Sequence, residues 1–448
     1  MRKLPGILRA MYSQEQPADG REARRAGAQG CAGPAWQAVV EDKPRVGWGF
    51  ITLHALAYTG TWLALLTPVL VTIALKVRHL APGTAAASLS LVLGLGAFFA
   101  LVGNPLFGRL SDRTTSRFGM RRPWLIGGVI CGALALLLIA TATSIAMVLI
   151  GWCLAQLAFN AVLAAIIAVL PDQVPVEQRG TVAGVMGICL PLGQVSGTYL
   201  VQSVATSTLL TFMVPASICV VLVLLFAMTL RDRQLAPGEV ESLGWRDVIG
   251  IYWVSPRLHP DFGWTWLSRL LLVLGTAFLN TYQPFYLIDK LGQAERQVPT
   301  LIFQGILAQT VAIIAVSILG GRLSDAIGRR KVFVVIGGAV YAIGLWVIAV
   351  APDFPTFLLG MTITGIGHGI YFAVDLALVT DVLPNRWRDA AKDLGIFNVA
   401  NALPQAIAPA VAPVILAVTE GNYTWLFVIA GSITLLASIA ILPVRSVR

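Results

Sequence analysis

The chain is short of charge. Only 12% of its 448 residues are charged and 57% are hydrophobic, whereas a soluble domain carries roughly 25% charged residues. Such a chain cannot cover a water-facing surface, so most of its surface must face lipid. Cysteine is scarce as well. The five, Cys31, Cys131, Cys153, Cys189 and Cys219, show no paired spacing, which excludes a disulfide framework and a zinc site and reads as small packing residues. No GxxxxGK[ST] loop occurs, which argues against ATP-driven transport by this chain alone. Metalloprotease and nucleophile-elbow motifs are missing too, so a membrane enzyme has no catalytic constellation to work with. Nothing calls for a metal or a cofactor. Residues 1–47 are polar, basic and rich in Gly and Ala, without the compact apolar core of a signal peptide; they read as a disordered cytoplasmic tail.

What the chain has is long apolar runs. Ile126 to Ala142, Ile145 to Leu170 and Val332 to Val350 contain no charged residue, and a membrane-spanning helix needs about 20 apolar residues. The pattern predicts twelve helices, at 48–75, 85–107, 124–143, 145–170, 181–202, 207–230, 263–288, 300–320, 332–351, 354–382, 394–418 and 423–443. Residues 48–230 would form one six-helix bundle and 263–443 a second, joined by a cytoplasmic central loop at 231–262. Residues 444–448 form the end. The fold class is all-α integral membrane.

Basic residues orient these spans. With the amino terminus inside, 27 of the 32 Lys and Arg fall on the inner side and 4 in outer loops, while Arg269 lies within a helix. Positive charge concentrates in cytoplasmic loops, so both termini are expected in the cytoplasm of a multi-pass protein of the cell (plasma or inner) membrane. The same bias explains the net charge of +10 without nucleic acid; the partner of that charge is the bilayer and its anionic lipid.

One pentapeptide occurs twice. Gly108-Arg109-Leu110-Ser111-Asp112 matches Gly321-Arg322-Leu323-Ser324-Asp325 at an offset of 213, and past a four-residue insertion the offset is 209, pairing Gly119, Arg121 and Gly128 with Gly328, Arg330 and Gly337. Asp172, Pro175 and Arg179 pair with Asp381, Pro384 and Arg388 at the same 209. A register kept across three helices marks a duplicated six-helix unit with its halves in the same orientation. Parallel halves place a substrate site near the bilayer midplane at their interface.

Gly-x-Leu-Ser-Asp followed by Gly-x-Arg-Arg after the second helix, and by Gly-Arg-Arg-Lys after the eighth, resembles the loop signature of the major facilitator superfamily over residues 48–443. The first copy, "GRLSDRTTSRFGMRRPW", is similar to the form in sucrose-transporter-like sugar:proton symporters and in glycoside–pentoside–hexuronide:cation symporters. The resemblance implies alternating access, with helices one, four, seven and ten lining a central cavity. The gating loops would comprise Gly108, Asp112, Arg113, Arg121 and Arg122 in the first half and Gly321, Asp325, Arg329 and Arg330 in the second. The glycines would let helix backbones approach closely. The aspartates, with their Arg partners, would stabilise the state closed to the cytoplasm; the alternative is that the Arg residues only fix topology.

The cargo must be read elsewhere. Ionisable groups inside a bilayer are functional candidates by default. They are His54 on the first helix, Arg269 on the seventh, and His368 and Asp375 on the tenth, all on expected cavity helices. Asp375 is the expected proton carrier, Arg269 its switchable partner, and His368 a relay or hydroxyl-binding group. Against these stand snorkelling of Arg269 and a packing role for His368. Gln156 and Asn160 share a face of helix four; Tyr58 and Trp62 do so on helix one, and Asn280, Gln283 and Tyr286 on helix seven. Amides and hydroxyls beside aromatic rings suit a polyol, and also suit plain interhelical hydrogen bonding. Together with His54 they are the expected substrate cavity. The expected activity is proton-coupled symport of a sugar, glycoside or similar polar metabolite, by a monomer. The alternatives are proton-driven export of a drug-like or secondary metabolite, and a non-transporting sensor or assembly partner. A proton gradient is the expected coupling; Ala85 to Phe107 holds no carboxylate, which argues against sodium.

Overall fold

The computed structural model describes residues 44–235, 259–327, 330–382 and 390–444. Within these stand twelve helices long and apolar enough to cross a membrane. They are α1 (Trp48–Leu80), α2 (Ala85–Asp112), α3 (Arg122–Ala140), α4 (Ile145–Gln173), α5 (Val176–Ser203) and α6 (Thr208–Thr229), then α7 (Pro260–Lys290), α8 (Val298–Ile327), α9 (Arg330–Val350), α10 (Phe354–Val382), α11 (Ala390–Val418) and α12 (Tyr423–Ala440). Each tracks an expected span. The chief differences are at helix ends: α2, α5 and α8 run past their apolar stretches into the polar loops. A backbone in a helix satisfies its own hydrogen bonds, and so it stays helical until water can take over. The tail and most of the central loop lie outside the described residues. The membrane face at which α1 begins is here the tail face, and the opposite one the far face.

Short caps turn the chain at the far face. Ser144 Oγ accepts from Met147 N at 3.3 Å at the start of α4, and Asn422 Oδ1 accepts from Thr424 N at 2.9 Å at the start of α12. The turn before α12 uses left-handed backbone at Glu420 and Gly421 (φ 53° and 78°). Such side-chain caps satisfy the first amides of a helix.

The duplication is visible in packing. A Cβ added to Gly128 of α3 would lie 2.9 Å from Ala158 O and 3.5 Å from Val162 N of α4. A Cβ on Gly337 of α9 would lie 2.9 Å from Gly367 O and from Tyr371 N of α10. Both contacts are related by the offset of 209. Arg122 donates to Leu230 O beyond α6, and Lys331, again 209 later, donates to Leu442 O and, at 3.0 Å, to Val444 O beyond α12. A cation thus closes the carbonyl end of the sixth helix in each bundle, where the helix dipole favours it.

The bundles meet through α2 with α11 and α5 with α8. Their named contacts gather toward the far face. Tyr282 of α7 shares a buried hydrogen bond of 2.5 Å with Ser90 of α2. Tyr199 of α5 lies against Phe303 of α8, with ring centroids 5.5 Å apart. Arg78 of α1 bridges to Asp289 of α7 at 2.7 Å and to Glu295 of the α7–α8 loop at 2.8 Å. Closer to the tail face, Ile188 and Thr181 lie on the same strip of α5 as Tyr199 and are exposed. Among the described residues, then, the named contacts between the halves lie toward the far face.

Candidate functional site

Among the described residues, each bundle holds a polar cluster inside the spans. In the second, Arg269 lies two turns into α7, half-buried, and its Nε donates to Asn401 Oδ1 of α11 at 2.9 Å. His368 of α10 is within electrostatic reach of the same guanidinium. Its ring stacks on Phe372 with centroids 4.2 Å apart and meets Tyr341 of α9 edge-on at 5.6 Å. One cation thus joins α7 and α11 in a low-dielectric setting, where its charge acts more strongly than in water. Gly365 and Gly369, two of the glycines around His368, let α10 approach α8: a Cβ on Gly365 would lie 2.8 Å from Ala312 Cβ, and one on Gly369 2.8 Å from Ile313 O.

In the first bundle Asn160 of α4, almost fully buried, donates to Gln156 O at 2.8 Å and to Gln156 Oε1 at 3.2 Å. Its own Oδ1 accepts from Asn104 Nδ2 of α2 at 3.3 Å. Gln156 stays half-buried. The amides expected on α4 are therefore together, with Asn104 as an added member. Tyr58 and Trp62 of α1 meet edge-on, centroids 5.9 Å apart. On α7, Asn280 is half-buried. Gln283 is fully buried, and among the described residues neither its Oε1 nor its Nε2 has a partner.

Two expected cavity residues are placed otherwise. His54 is fully buried; its Nε2 contacts Ile166 O of α4 at 2.9 Å and its ring stacks on Phe226 of α6 at 5.1 Å. Tyr286 is fully buried too. Its hydroxyl donates to Ile348 O of α9 and its ring lies between Phe357 and Phe427. Both fill the interior of a bundle, because an aromatic body with one polar atom can bury its area and spend that atom on an open carbonyl.

At the tail face the first repeated loop is a charge cluster. The Arg121 guanidinium, 5% exposed, pairs with Asp112 at 2.5 Å and Asp172 at 2.9 Å and donates to Ser111 Oγ. Asp232, beyond α6, accepts from the backbone amides of Arg121 and Arg122 at 2.7 Å each. Gly119 has φ 103°, and a Cβ there would strike the Asp232 carboxylate. Arg113 caps α2 through its amide, which donates to Leu110 O. All of these partners belong to the first bundle, so among the described residues Asp112 braces one half. Gly108 does not carry the expected close approach: a Cβ there would meet Ala164 Cβ at an ordinary 3.9 Å. That role falls to Gly128 and Gly337. In the second loop Arg330 is half-buried. Gly321, Asp325, Arg329 and Asp375 lie outside the residues whose side chains are described.

A profile of the Major Facilitator Superfamily matches residues 48–314 and 304–448, which is the whole twelve-helix body. The chain belongs to the Major Facilitator Superfamily. This is a family of membrane transporters rather than enzymes, and the twelve-helix chain is a multi-pass membrane protein. The chain is 30% identical over 109 residues to the uncharacterized MFS-type transporter YfiU of Bacillus subtilis (strain 168), a stretch covering 24% of this chain and 20% of that relative. It is 28% identical over 134 residues to the multidrug resistance protein MdtL of Klebsiella pneumoniae subsp. pneumoniae, covering 29% of this chain and 32% of that one. Matches to curated relatives thus span about a third of their length or less. The fold continues much further: the crystal structure of a D-xylose–proton symporter superposes over 88% of this chain and 98% of that one, with TM-score 0.65 at 17% identity.

Four contributors escaped the sequence reading. Asn104 and Asn401 are neutral amides outside the ionisable set, although each sits beside a proline-containing stretch on a helix that packs across the bundles. Arg78 and Asp232 lie at span ends, where a charge is unremarkable until its partner is known.

Proposed function

We propose that the chain is a secondary active transporter working by alternating access, in which protons drive symport of a sugar, glycoside or similar polar metabolite. The observation that carries the reading is Arg269: a cation inside α7, bonded to a neutral amide of α11 and within reach of His368. A charge held in the span between helices of one bundle is costly to bury and useful if protonation elsewhere changes its partners. Asp375 on α10 is the proton carrier, Arg269 its switchable partner and His368 the relay. Gln156, Asn160, Asn280 and Gln283, with the Tyr58 and Trp62 rings, supply amides and aromatic faces of the kind a polyol takes. The tail face is cytoplasmic, the membrane is the plasma or inner membrane, and a single chain suffices.

Proteoliposomes with an imposed proton gradient test this, screened with sugars and glycosides and with lipophilic cations. Uptake of a polar solute accelerated by an inward proton gradient, and uncoupled by Asp375→Asn, is the expected result. Coupled uptake that survives Asp375→Asn removes the carrier role. The similarity to a multidrug resistance protein favours a second reading, proton-driven export of a drug-like compound; movement of lipophilic cations against the gradient selects it. No movement of any solute selects a sensor.

A further inference from the structure

The first repeated loop is longer than the second. Six residues stand between Asp112 and Gly119, and two between Asp325 and Gly328. The extra length is built into bonds. Thr114 Oγ1 donates to Leu110 O at 2.8 Å and accepts from Trp124 Nε1 at 2.7 Å. Ser116 Oγ accepts from Phe118 N at 3.1 Å, and Ser116 O accepts from Gly119 N at 3.0 Å. A hydroxyl that bonds the amide two residues on sets a tight turn. The turn ends at Gly119, whose φ of 103° suits glycine. Arg117 O and the amides of Met120, Arg121 and Arg122 then take their partners from another segment.

That segment is the start of the central loop, and its residues are held one by one. Leu230 O accepts from Arg122, and Arg231 O from Gln173 Nε2 at 2.7 Å. Asp232 Oδ2 accepts from Arg121 N and Arg122 N at 2.7 Å each. Arg233 O accepts from Met120 N at 3.0 Å, and Gln234 Nε2 donates to Arg117 O at 2.7 Å. The Arg121 side chain makes no capping bond at the start of α3. Asp232 supplies the cap from 111 residues away, a carboxylate at the positive end of the helix. The guanidinium of the same Arg121 pairs with Asp112 and Asp172. Its backbone is thus fixed by the central loop and its side chain by the ends of α2 and α4.

We infer that the longer first loop is the seat of a strap formed by Leu230–Gln234, and that Asp232 is a positioning residue that sets Arg121 between Asp112 and Asp172. Each bond of the strap uses a main-chain atom on one side or both. The length of the loop therefore matters more than its charges, because length decides whether Arg117 O and the three amides reach the segment. The central loop leaves the first bundle at residue 235, beside the start of α3, rather than at the end of α6. Any displacement of the second bundle that draws on the central loop arrives, through Asp232 and Arg121, at the ends of α2, α3 and α4. That use rests on the alternating-access reading; the strap itself does not.

Amide hydrogen exchange of the full chain in lipid nanodiscs tests the strap without needing a solute. Asp232→Ala is expected to speed exchange about tenfold or more in peptides covering 117–124 and 228–236, and to leave those of the α3–α4 contact unchanged. Asp232→Asn keeps an oxygen that can accept both amides and should restore most of the protection. Deleting residues 114–117 should speed the same two peptides, and Gln234→Ala reads the same seat where the deletion does not fold. Unchanged exchange in Asp232→Ala or in the loop variants overturns the strap, and so does an Asp232→Asn chain that exchanges like Asp232→Ala. The positioning of Arg121 has its own readout. Asp172→Asn should speed exchange over 117–124 by a factor about threefold larger in the natural chain than in the Asp232→Ala chain, since residues that act through one partner do not add. Equal factors overturn the positioning role. A chain that moves no solute in proteoliposomes but shows these exchange effects loses the transport reading and keeps the strap.

Discussion

Arg269 of α7 and Asn401 of α11 are joined by a hydrogen bond of 2.9 Å inside the membrane spans. A neutral amide satisfies one donor of a guanidinium without neutralising its charge. Asn401→Leu removes that bond and is expected to lower stability by about 1.5–3 kcal/mol, the range for a hydrogen bond to a charged group. Thermal unfolding in lipid or detergent checks this. Asn401→Asp should raise stability and slow any transport at least about tenfold, because the pair would be too strong to exchange. Faster transport in Asn401→Asp would remove Arg269 from the moving parts.

Arg121 distinguishes its two carboxylates by exposure. Asp172 is 35% exposed and Asp112 57%, so solvent screens the second more strongly. Asp172→Asn should destabilise more than Asp112→Asn, by about 1 kcal/mol against a few tenths. Denaturation of the two variants side by side gives the comparison. The reverse order would mean that the Asp112 contact gains from a network rather than from its burial.

His54 packs inside the first bundle. Its ring is fully buried on Phe226, and among the described residues its Nδ1 has no partner. His54→Phe keeps the stacking area and loses one bond to Ile166 O. The expected change is under about 1.5 kcal/mol, with no change in the pH profile of transport. A shifted profile would return His54 to the proton path.

Glycines rank by what stands beside them. Gly128→Leu and Gly337→Leu drive a side chain into the backbone of α4 and α10 and should abolish or strongly reduce the folded yield. Gly108→Ala has ordinary contact space, and Ala is the better helix former by roughly 1 kcal/mol. It should be neutral or stabilising, as monodisperse yield and melting temperature would show. If Gly108→Ala unfolds the chain, the motif glycine has a packing role that this conformation does not display.

Asp353 starts α10. Its carboxylate accepts from Thr356 Oγ1 at 2.6 Å and from Thr356 N at 3.0 Å, and these bonds hold its pKa below the ordinary 3.8. A folded pKa below the unfolded one means that the contribution is complete above the unfolded value and is lost as pH falls through the folded value. Asp353→Ala should fray the first turn of α10 at neutral pH and remove that acid-side dependence. Hydrogen exchange of the α10 start, measured at neutral and acid pH, reads both effects.

Much of this protein was legible in order. The apolar runs determine twelve helices, because no other described element of this length can satisfy its backbone in lipid. The Gly-Arg-Leu-Ser-Asp repeat implies two parallel bundles, and the contacts at Gly128 and Gly337 keep its offset. Gln156 with Asn160 follows from helical spacing alone, since residues one turn apart share a face.

Other features need the third dimension. Helical spacing puts Tyr286 on the stripe of Asn280 and Gln283, yet a long side chain near a helix end reaches sideways, and Tyr286 spends its hydroxyl on Ile348 O. Asn104 and Asn401 become notable only when another helix brings Asn160 and Arg269 within hydrogen-bond distance. Arg78 and Asp289 are 211 residues apart, and Arg121 and Asp232 are 111 apart. Composition and periodicity determine which segments enter the membrane and which face of each is polar, because those are local free energies of transfer. Which polar group meets which depends on distances between segments far apart in the chain, and only the packed bundles set those.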